Sequence, residues 1–211
     1  DEVDGAQMSD LQVRDEVITL LAAGHETVAN SAAFTLWLVA AHPTVQARLH
    51  DEARAVLGGR PPTFDDLPRL GYALAVFKES MRLYPPAYLV GRETVEPITL
   101  GGHPIPADTM VIVNLYGLHR RADLFPLPER FDPERFTAER DKALPRGAYL
   151  PFADGPRVCV GNHFSLVEGQ VVLAHLVQRL RLETTGPAPE PKPQLTLQPR
   201  RPFHLRVSAR G

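Results

Sequence analysis

The uneven distribution of proline sets where long helices can form in this chain. Most of its 21 proline residues follow Pro85. Because proline lacks an amide hydrogen and clashes with the preceding helical turn, long helices are predicted mainly before Pro85. The rest of the chain is predicted to contain short strands, turns and one further helix. The expected fold class is therefore mainly α with small β-sheets.

Apolar residues at helical spacing, together with helix-stop residues, predict four helices. Ser9 or Asp10 is expected to cap the first helix, and Asn162 the last. A short helical turn is also expected near Phe64. The predicted helices cover residues 10–41, 43–57, 70–84 and 162–180.

Turn signals and β-branched residues predict short strands after residue 88. The stretch ITLGGHPIP is predicted to form two strands around a Gly-Gly turn, and TMVIVNL a third strand. Two further strands are expected near Leu195–Leu197 and Phe203–Val207, and the proline-rich GPAPEPKP between helix and strands is expected to be a surface turn. Residues 120–150 are predicted to be irregular, which for a segment of that length usually indicates a functional or firmly anchored region.

Composition and charge exclude several classes of function. Hydrophobic residues make up 44% of the 211 residues, and the net charge is −2 without a basic run, so no nucleic-acid partner is indicated. The single cysteine excludes an internal disulfide and fits a reducing compartment, so a cytoplasmic location is expected. No apolar stretch reaches the length of a membrane span. The chain begins at Asp1 and enters a helix almost at once, so we expect the C-terminal part of a longer protein.

The single cysteine, Cys159, lies in the stretch FADGPRVCVG immediately before a predicted helix. Gly155 and the proline after it support a tight turn, and Gly161 leaves the backbone uncrowded. The free N–H groups of the helix starting near Asn162, together with Arg157, favour an anion at this position. A buried structural cysteine and a reactive or metal-binding thiolate are both compatible with this pattern.

Three uses of a thiolate differ in the partners that they require. A cysteine nucleophile needs an oriented base, and His163 is near in sequence but has no evident orienting partner. Zinc needs further cysteine or histidine ligands at suitable spacing, which the sequence lacks. Haem iron needs a single protein thiolate, because the porphyrin supplies four nitrogen ligands. One cysteine is sufficient only for the last of these uses.

The cysteine stretch fits the pattern F-x-x-G-x-R-x-C-x-G at every fixed position, Phe152, Gly155, Arg157, Cys159 and Gly161. It resembles the haem-binding loop of the cytochrome P-450 family of haem-thiolate monooxygenases. The resemblance implies that haem b is the cofactor and that Cys159 is the proximal iron ligand. It also implies that Arg157 binds a haem propionate and that Phe152 packs beside the thiolate.

A carboxylate–guanidinium signature extends the resemblance. The stretch KESMR places Glu79 and Arg82 three residues apart on one helix, where an ordinary surface ion pair is the simpler interpretation. In the family this E-x-x-R pair is joined by an arginine from a P-E-R-F stretch. That string occurs twice here, and the fuller pattern F-x-P-x-R-F favours Arg135 over Arg130.

The stretch AAGHET lies within the first predicted helix, where glycine is unfavourable and threonine can bond back to the preceding turn. A zinc-binding H-E-x-x-H motif is excluded because position 29 is Ala29. The stretch resembles the family's oxygen-binding motif A-G-x-[DE]-T at Ala23, Gly24, Glu26 and Thr27. The resemblance implies that Glu26 and Thr27 form an acid–alcohol pair that delivers protons to dioxygen. His25 occupies the variable position and receives no role.

Further contacts follow from the resemblance. Arg92 lies seven residues after Pro85, where the family places a second propionate-binding arginine. Largely apolar residues correspond to substrate contacts, and they fit a small lipophilic substrate. These residues are Ala87, Leu89, Val90 and Leu195.

The resemblance implies the C-terminal portion of a single cytochrome P-450 domain, without the N-terminal half. The implied reaction uses O2 and electrons from a separate partner such as a ferredoxin, a flavodoxin or a reductase. A peroxygenase driven by hydrogen peroxide and a truncated product that binds haem weakly are the alternatives. The segments implied are the oxygen-binding helix (1–41), the E-x-x-R helix (70–84), the meander (120–150), the haem-thiolate loop (152–161) and the closing helix (162–180).

Overall fold

A computed structural model describes residues 7–210 of the chain. The start of the predicted segment 1–41, before residue 7, lies outside the described residues. Short 3-10 turns cover Phe64–Arg69, Pro133–Phe136 and Gly155–Arg157. The α-helices are α1 (Asp10–Ala41), α2 (Pro43–Leu57), α3 (Gly71–Leu83), α4 (Leu115–Leu118), α5 (Ala138–Ala143) and α6 (Asn162–Val177).

Short antiparallel strand pairs complete the fold, so the predicted class, mainly α with small β-sheets, is confirmed. The pairs are β1 with β4, β2 with β3, β5 with β8, and β6 with β7. The strands are β1 (Leu89–Glu93), β2 (Ile98–Leu100), β3 (His103–Ile105), β4 (Met110–Asn114), β5 (Leu180–Thr184), β6 (Pro191–Pro193), β7 (Leu197–Pro199) and β8 (Leu205–Ala209). None of the helices within residues 7–210 is both long and apolar enough to cross a membrane.

Helix α1 begins at a capping box. The Ser9 hydroxyl accepts the Gln12 N–H at 3.3 Å, and the Gln12 side chain accepts the Ser9 N–H at 2.8 Å. These bonds satisfy backbone donors that the first helical turn leaves without partners. Pro43 then opens α2 directly after His42, because proline fits the first turn of a helix and cannot continue the previous one.

The two halves of α1 lie in different environments. Apolar residues of its first half, including Leu11, Ile18 and Leu21, are more than half exposed. In its second half Phe34 and Val39 are fully buried. The second half packs against α3, α6 and β5, and its core-facing residues join those of α2 in the main hydrophobic cluster. Only the second half of α1 is therefore fixed by hydrophobic burial.

The beginning and the end of α6 differ from the prediction. The helix begins at Asn162, but Gly161 occupies the cap position, and Asn162 accepts the adjacent His163 N–H instead of capping. The helix ends at Val177, because the chain turns there into strand β5. The side chain of Gln46 accepts the Leu182 N–H and donates to the Leu182 carbonyl, both at 2.8 Å. This long-range pairing holds residues 180–184 as a strand.

The tail strands are also shifted from their predicted positions. Strand β7 covers Leu197–Pro199 rather than 195–197, and β8 covers Leu205–Ala209 rather than 203–207. The partner of β7 is β6 (Pro191–Pro193), which lies within the stretch predicted to be a surface turn. A two-stranded ribbon needs amide hydrogens only on alternate residues, so a strand with proline at both of its ends can still pair.

The Gly-Gly turn between β2 and β3 forms as the sequence predicts. Gly101 and Gly102 have φ values of 56° and 84°, which residues with a Cβ rarely adopt. Two such residues in succession match the tight hairpin turn that suits twisted strands. The region 120–150, predicted to be irregular, contains the short helix α5 and is anchored by buried phenylalanines, Phe125, Phe131 and Phe136.

Helices α3 and α6 approach each other closely at Gly169. A Cβ added at Gly169 would lie 2.6 Å from Cδ1 of the buried Phe77 ring, so the ring or the helix would have to shift. We expect Gly169→Ala to lower the free energy of unfolding by roughly 1–3 kcal/mol, because overpacking outweighs the helix propensity that alanine gains. Urea denaturation measures the change.

Gly186→Ala is the matched control, since a Cβ at Gly186 meets nothing within 4 Å. Equal stability of the two variants would show that α3 and α6 are not packed as closely as described.

Candidate active site

The loop that carries Cys159 is held by its own backbone. The Cys159 N–H donates to the Phe152 carbonyl at 3.0 Å, and the Val158 N–H donates to the Gly155 carbonyl at 3.0 Å. Gly155 has φ of 78°, a left-handed conformation that favours glycine. Asp154 caps the 3-10 turn by accepting the Gly155 N–H at 2.7 Å. The loop therefore fixes the position of Cys159 immediately before α6.

The thiol of Cys159 is exposed and free. Within residues 7–210 the thiol is therefore not buried as a structural cysteine would be. Apolar neighbours are exposed beside it, with Val160 exposed by 88% and Phe164 by 72%. An exposed thiol within a group of apolar side chains is suited to a flat, largely apolar ligand.

Glu79 and Arg82 form a fully buried ion pair on α3. Arg82 donates from Nε to Glu79 Oε2 at 2.7 Å and from Nη2 to Oε1 at 2.9 Å. The Asp132 N–H also donates to Oε1, at 2.9 Å, and Arg135 Nε lies 3.4 Å from the same oxygen. The Arg130 side chain is exposed, and only its carbonyl takes part, accepting from Arg82 at 3.2 Å. The structure thus places Arg135, and not the Arg130 guanidinium, beside Glu79.

Burial has the largest effect on the Glu79 carboxyl and raises its pKa, whereas Arg82, the Asp132 N–H and Arg135 oppose the shift. The surface ion pair considered from the sequence is therefore excluded. A buried carboxylate with these partners is costly to disrupt, because removing one charge leaves the other buried without compensation.

His119 connects this ion pair to the cysteine loop. Arg82 Nη1 donates to the His119 carbonyl at 2.8 Å, and the His119 ring accepts the Leu150 N–H at Nε2, at 2.9 Å. Leu150 stands two residues before Phe152, whose carbonyl holds the Cys159 N–H. Sequence analysis did not identify His119. The only signal was its place directly before the predicted irregular segment 120–150.

The His119 ring is fully buried between aromatic rings, with centroid distances of 5.3 Å to Tyr149 and 6.5 Å to Phe125. Burial, and then the charges of Arg82 and Arg120, lower the pKa of His119 to about 4. The ring is therefore neutral at physiological pH, which lets Nε2 accept a hydrogen bond.

The AAGHET segment of α1 carries two bonded side chains. The Thr27 hydroxyl donates to the Ala23 carbonyl at 2.7 Å, the back-bond expected of threonine within a helix. Glu26 Oε1 accepts the Thr196 hydroxyl at 2.5 Å, and Thr196 in turn accepts from the Asn30 amide at 3.1 Å. Sequence analysis identified neither Asn30 nor Thr196, because residues 166 or more positions apart give no local signal.

Helices α1 and α6 face each other across a cavity of about 250 Å³. Gly24 lines the α1 side, and a Cβ at this glycine would meet nothing within 4 Å. Glu168 and Gly169 line the α6 side, nine and ten residues after Cys159. The fold therefore brings the helix that carries Glu26 and Thr27 against the helix that follows the cysteine loop.

The two predicted propionate-binding arginines are exposed. Arg92 lies on β1 opposite Val111, and its guanidinium donates to the carbonyl of Gly91 at 2.8 Å. Neither Arg92 nor Arg157 has a carboxylate partner among residues 7–210. Both guanidinium groups are thus available to an external carboxylate, which a planar fork of donors binds well.

The residues predicted to contact substrate lie on two segments that the fold joins. Ala87, Leu89 and Val90 follow α3, and Leu195 is 91% exposed at a turn in the tail. The Leu197 N–H donates to the Pro86 carbonyl at 2.9 Å, and the Tyr88 hydroxyl donates to the Gln194 carbonyl at 2.8 Å. The structure therefore brings the two segments together.

The donor set fits haem better than a bare metal ion. Within the described part of the chain, no three His, Cys, Asp or Glu side chains are grouped to hold a metal ion. A cysteine nucleophile also lacks support, because the exposed His163 ring has no hydrogen-bond partner in residues 7–210. An exposed thiol with apolar neighbours is compatible with a porphyrin, which brings four nitrogen ligands of its own.

The cytochrome P450 family model, which we write as cytochrome P-450, matches residues 1–207, so the chain belongs to this family. It is 43% identical over 198 residues to cyclooctatin synthase of Streptomyces melanosporofaciens, covering 93% of this chain and 43% of that protein. It is 45% identical over 178 residues to cyclooctat-9-en-7-ol 5-monooxygenase of the same organism, covering 84% and 39%. Pentalenene oxygenase of Streptomyces avermitilis is 35% identical over 210 residues, covering 98% and 46%. The chain spans less than half the length of these curated relatives.

Replacing Glu79 tests the buried network. We expect Glu79→Ala to lower the free energy of unfolding by roughly 3–5 kcal/mol, because Arg82 and Arg135 lose their buried counter-charge. Chemical denaturation measures the loss. Glu190→Ala serves as the control, since its ion pair with Arg200 is exposed and should matter little. Similar effects of the two substitutions would contradict the role of Glu79.

The neutral ring of His119 predicts a pH dependence of stability. The folded-state pKa of about 4 lies below the ordinary value of 6.5, so the unfolded chain binds the proton first as pH falls. Stability should therefore decrease between pH 6.5 and pH 4, by roughly 3 kcal/mol from this group.

The raised pKa values of Glu52 and Glu79 act in the opposite direction, so a comparison with His119→Gln isolates the histidine. Glutamine does not titrate and retains an acceptor for the Leu150 N–H. Denaturation series at pH 7, 6, 5 and 4 should show a smaller acid loss for the variant. Parallel curves for both proteins would refute the assignment.

Proposed function

We propose that the chain forms the haem-thiolate part of a monooxygenase that inserts one oxygen atom of O2 into a C–H bond of a small lipophilic substrate. One observation carries the proposal: Cys159 is exposed in a fixed loop directly before α6. Helix α6 packs against α1, which carries Glu26 and Thr27. The ligand for iron and the residues for proton delivery thus belong to adjacent elements.

Three residues would hold the haem. Cys159 would provide the proximal thiolate, and Arg92 and Arg157, which have no carboxylate partner among residues 7–210, would bind the propionates. The Phe152 ring would pack beside the thiolate, and the Phe152 carbonyl accepts the Cys159 N–H. A haem bound through thiolate supplies the electron density that favours O–O cleavage. With haem in place, the apolar side chains of Val160 and Phe164 would help to keep water away from the sulfur.

Glu26 and Thr27 would supply the protons. The overall reaction consumes the substrate, O2, two electrons and two protons, and it yields an alcohol and water. The Thr27 hydroxyl donates its one hydrogen to the Ala23 carbonyl, so to pass on a proton it would exchange this bond for one to the proton acceptor. Glu26 is a carboxyl at the preceding position, able to pass protons inward from solvent.

The substrate is proposed to be lipophilic because the residues on its side are largely apolar. Leu89, Val90 and Leu195 project from two tethered segments. The relatives pentalenene oxygenase and cyclooctat-9-en-7-ol 5-monooxygenase are named for an alkene and an unsaturated alcohol, both poor in polar groups. Electrons are proposed to come from a separate ferredoxin, flavodoxin or reductase.

Two substitutions test the proposal on haem-loaded protein. We expect Cys159→Ser to abolish the strongly red-shifted Soret band of the reduced, carbon-monoxide-bound form, because a hydroxyl does not replace thiolate. Thr27→Ala should keep that band but lower the product formed per O2 consumed, since a proton donor is lost. Absorption spectroscopy and oxygen consumption measure the two effects.

Thr19→Ala is the matched control for Thr27→Ala. The Thr19 hydroxyl makes the same back-bond on α1, to the Asp15 carbonyl at 2.8 Å, but lies two turns away. A red-shifted band in Cys159→Ser, or the absence of bound haem in the unaltered chain, would refute the proposal. Turnover with hydrogen peroxide but none with an electron donor would identify a peroxygenase instead.

A further inference from the structure

The tail contacts Glu26 of α1 through one buried side chain, that of Thr196. Thr196 is only 8% exposed, although its neighbour Leu195 is 91% exposed. The Thr196 hydroxyl donates to Glu26 Oε1 at 2.5 Å and accepts from the Asn30 amide at 3.1 Å. Residues 170 positions apart are joined by this contact, which is independent of the hydrophobic core.

The directions of these two hydrogen bonds require the Thr196 hydroxyl to donate to Glu26. A hydroxyl has one hydrogen to donate, and the Asn30 amide can approach its oxygen only as a donor. The Thr196 hydrogen therefore points at Glu26 Oε1. Asn30 lies one helical turn after Glu26, so both contacts come from the same face of α1.

The turn that carries Thr196 is itself held in place. The Gln194 N–H donates to the Thr196 carbonyl at 3.1 Å, which closes the turn. The Leu197 N–H donates to the Pro86 carbonyl, and the Gln194 carbonyl accepts the Tyr88 hydroxyl. Both partners lie in the segment that follows α3. Thr196 therefore reaches Glu26 from a fixed support rather than from a free loop.

A partly buried carboxylate without such a bond would have several rotamers available to it. Glu26 and Thr27 are consecutive on a helix, so their side chains diverge by about 100° unless one is turned toward the other. Proton transfer between them needs a defined carboxyl position, directly or through one water. The bond from Thr196 removes that freedom.

We propose that Thr196 is a positioning residue that holds Glu26 in its proton-delivering orientation, with Asn30 as its second anchor. The inference rests on the proposed monooxygenase function, and it assigns a role in that reaction to the tail of the chain. Thr196 touches neither the cofactor nor dioxygen in this role and acts only through Glu26.

The first test is a double-mutant cycle on the protein as purified, with stability rather than turnover as its readout. Thr196→Val removes the hydroxyl while keeping the shape of the side chain, and Glu26→Ala removes the acceptor. If the two side chains are bonded, their effects on the unfolding equilibrium constant should depart from additivity by about tenfold, as for a hydrogen bond to a charged group. Additive effects would overturn the inference whatever the haem content.

The second test separates positioning from folding in the haem-loaded protein. Thr196→Val should lower product per O2 several-fold while leaving the red-shifted band and the substrate KM unchanged. Thr196→Ser should restore the ratio, because serine keeps the hydroxyl. Thr185→Val is the matched control, since the Thr185 hydroxyl bonds a tail carbonyl, that of His204 at 2.7 Å, and not α1.

The controls distinguish the two proposals. If Thr27→Ala lowers product per O2 and Thr196→Val does not, the positioning role is wrong and the proposed function stands. If neither substitution changes the ratio, the acid–alcohol pair itself is wrong. A raised KM in Thr196→Val with an unchanged ratio would mean that the turn serves substrate binding alone, which also overturns the inference.

Discussion

The buried ion pair of Glu79 and Arg82 is the interaction on which the arrangement of the site depends. Two charges in the interior are tolerable only if every oxygen and N–H finds a partner. Those partners are the His119 carbonyl, directly after α4, and the Asp132 N–H in the irregular segment. The irregular segment is thereby held by hydrogen bonds to a buried ion pair rather than by a ladder of backbone hydrogen bonds. Through the His119 ring, the same network reaches Leu150 and the start of the cysteine loop.

The sequence predicts best what is encoded within a few residues. The ends of α1 and α2, the Gly-Gly hairpin and the cysteine loop follow from capping residues, proline and glycine at short range. The same locality places Glu79 and Arg82 on one helix face. The choice of Arg135 as their partner came from the family pattern, and the structure shows the contact that this pattern implies.

What the sequence alone does not predict depends on contacts between distant residues. Strand β5 exists because Gln46 and residues 205–209 pair with it, and no property of LRLET distinguishes it from the end of a helix. His119 and Thr196 are ordinary residues in loops, and they gain roles only from what the fold places beside them. The predicted cap of α6, Asn162, is wrong by one residue, because Gly161 occupies the cap position and Asn162 already lies within the helix.

The contrast between the two halves of α1 has a consequence for local stability. Opening of a structural segment costs little where few buried contacts are lost, and much where the core is disrupted. The first half of α1, with Leu11 and Leu21 exposed, can open without disturbing the core, whereas opening at Phe34 requires global unfolding. Glu26 and Thr27 lie at the boundary between these regimes. Amide hydrogens there would exchange both by local opening of the first half of α1 and by unfolding of the core. The Thr196 bond to Glu26 would oppose the spread of local opening along the helix.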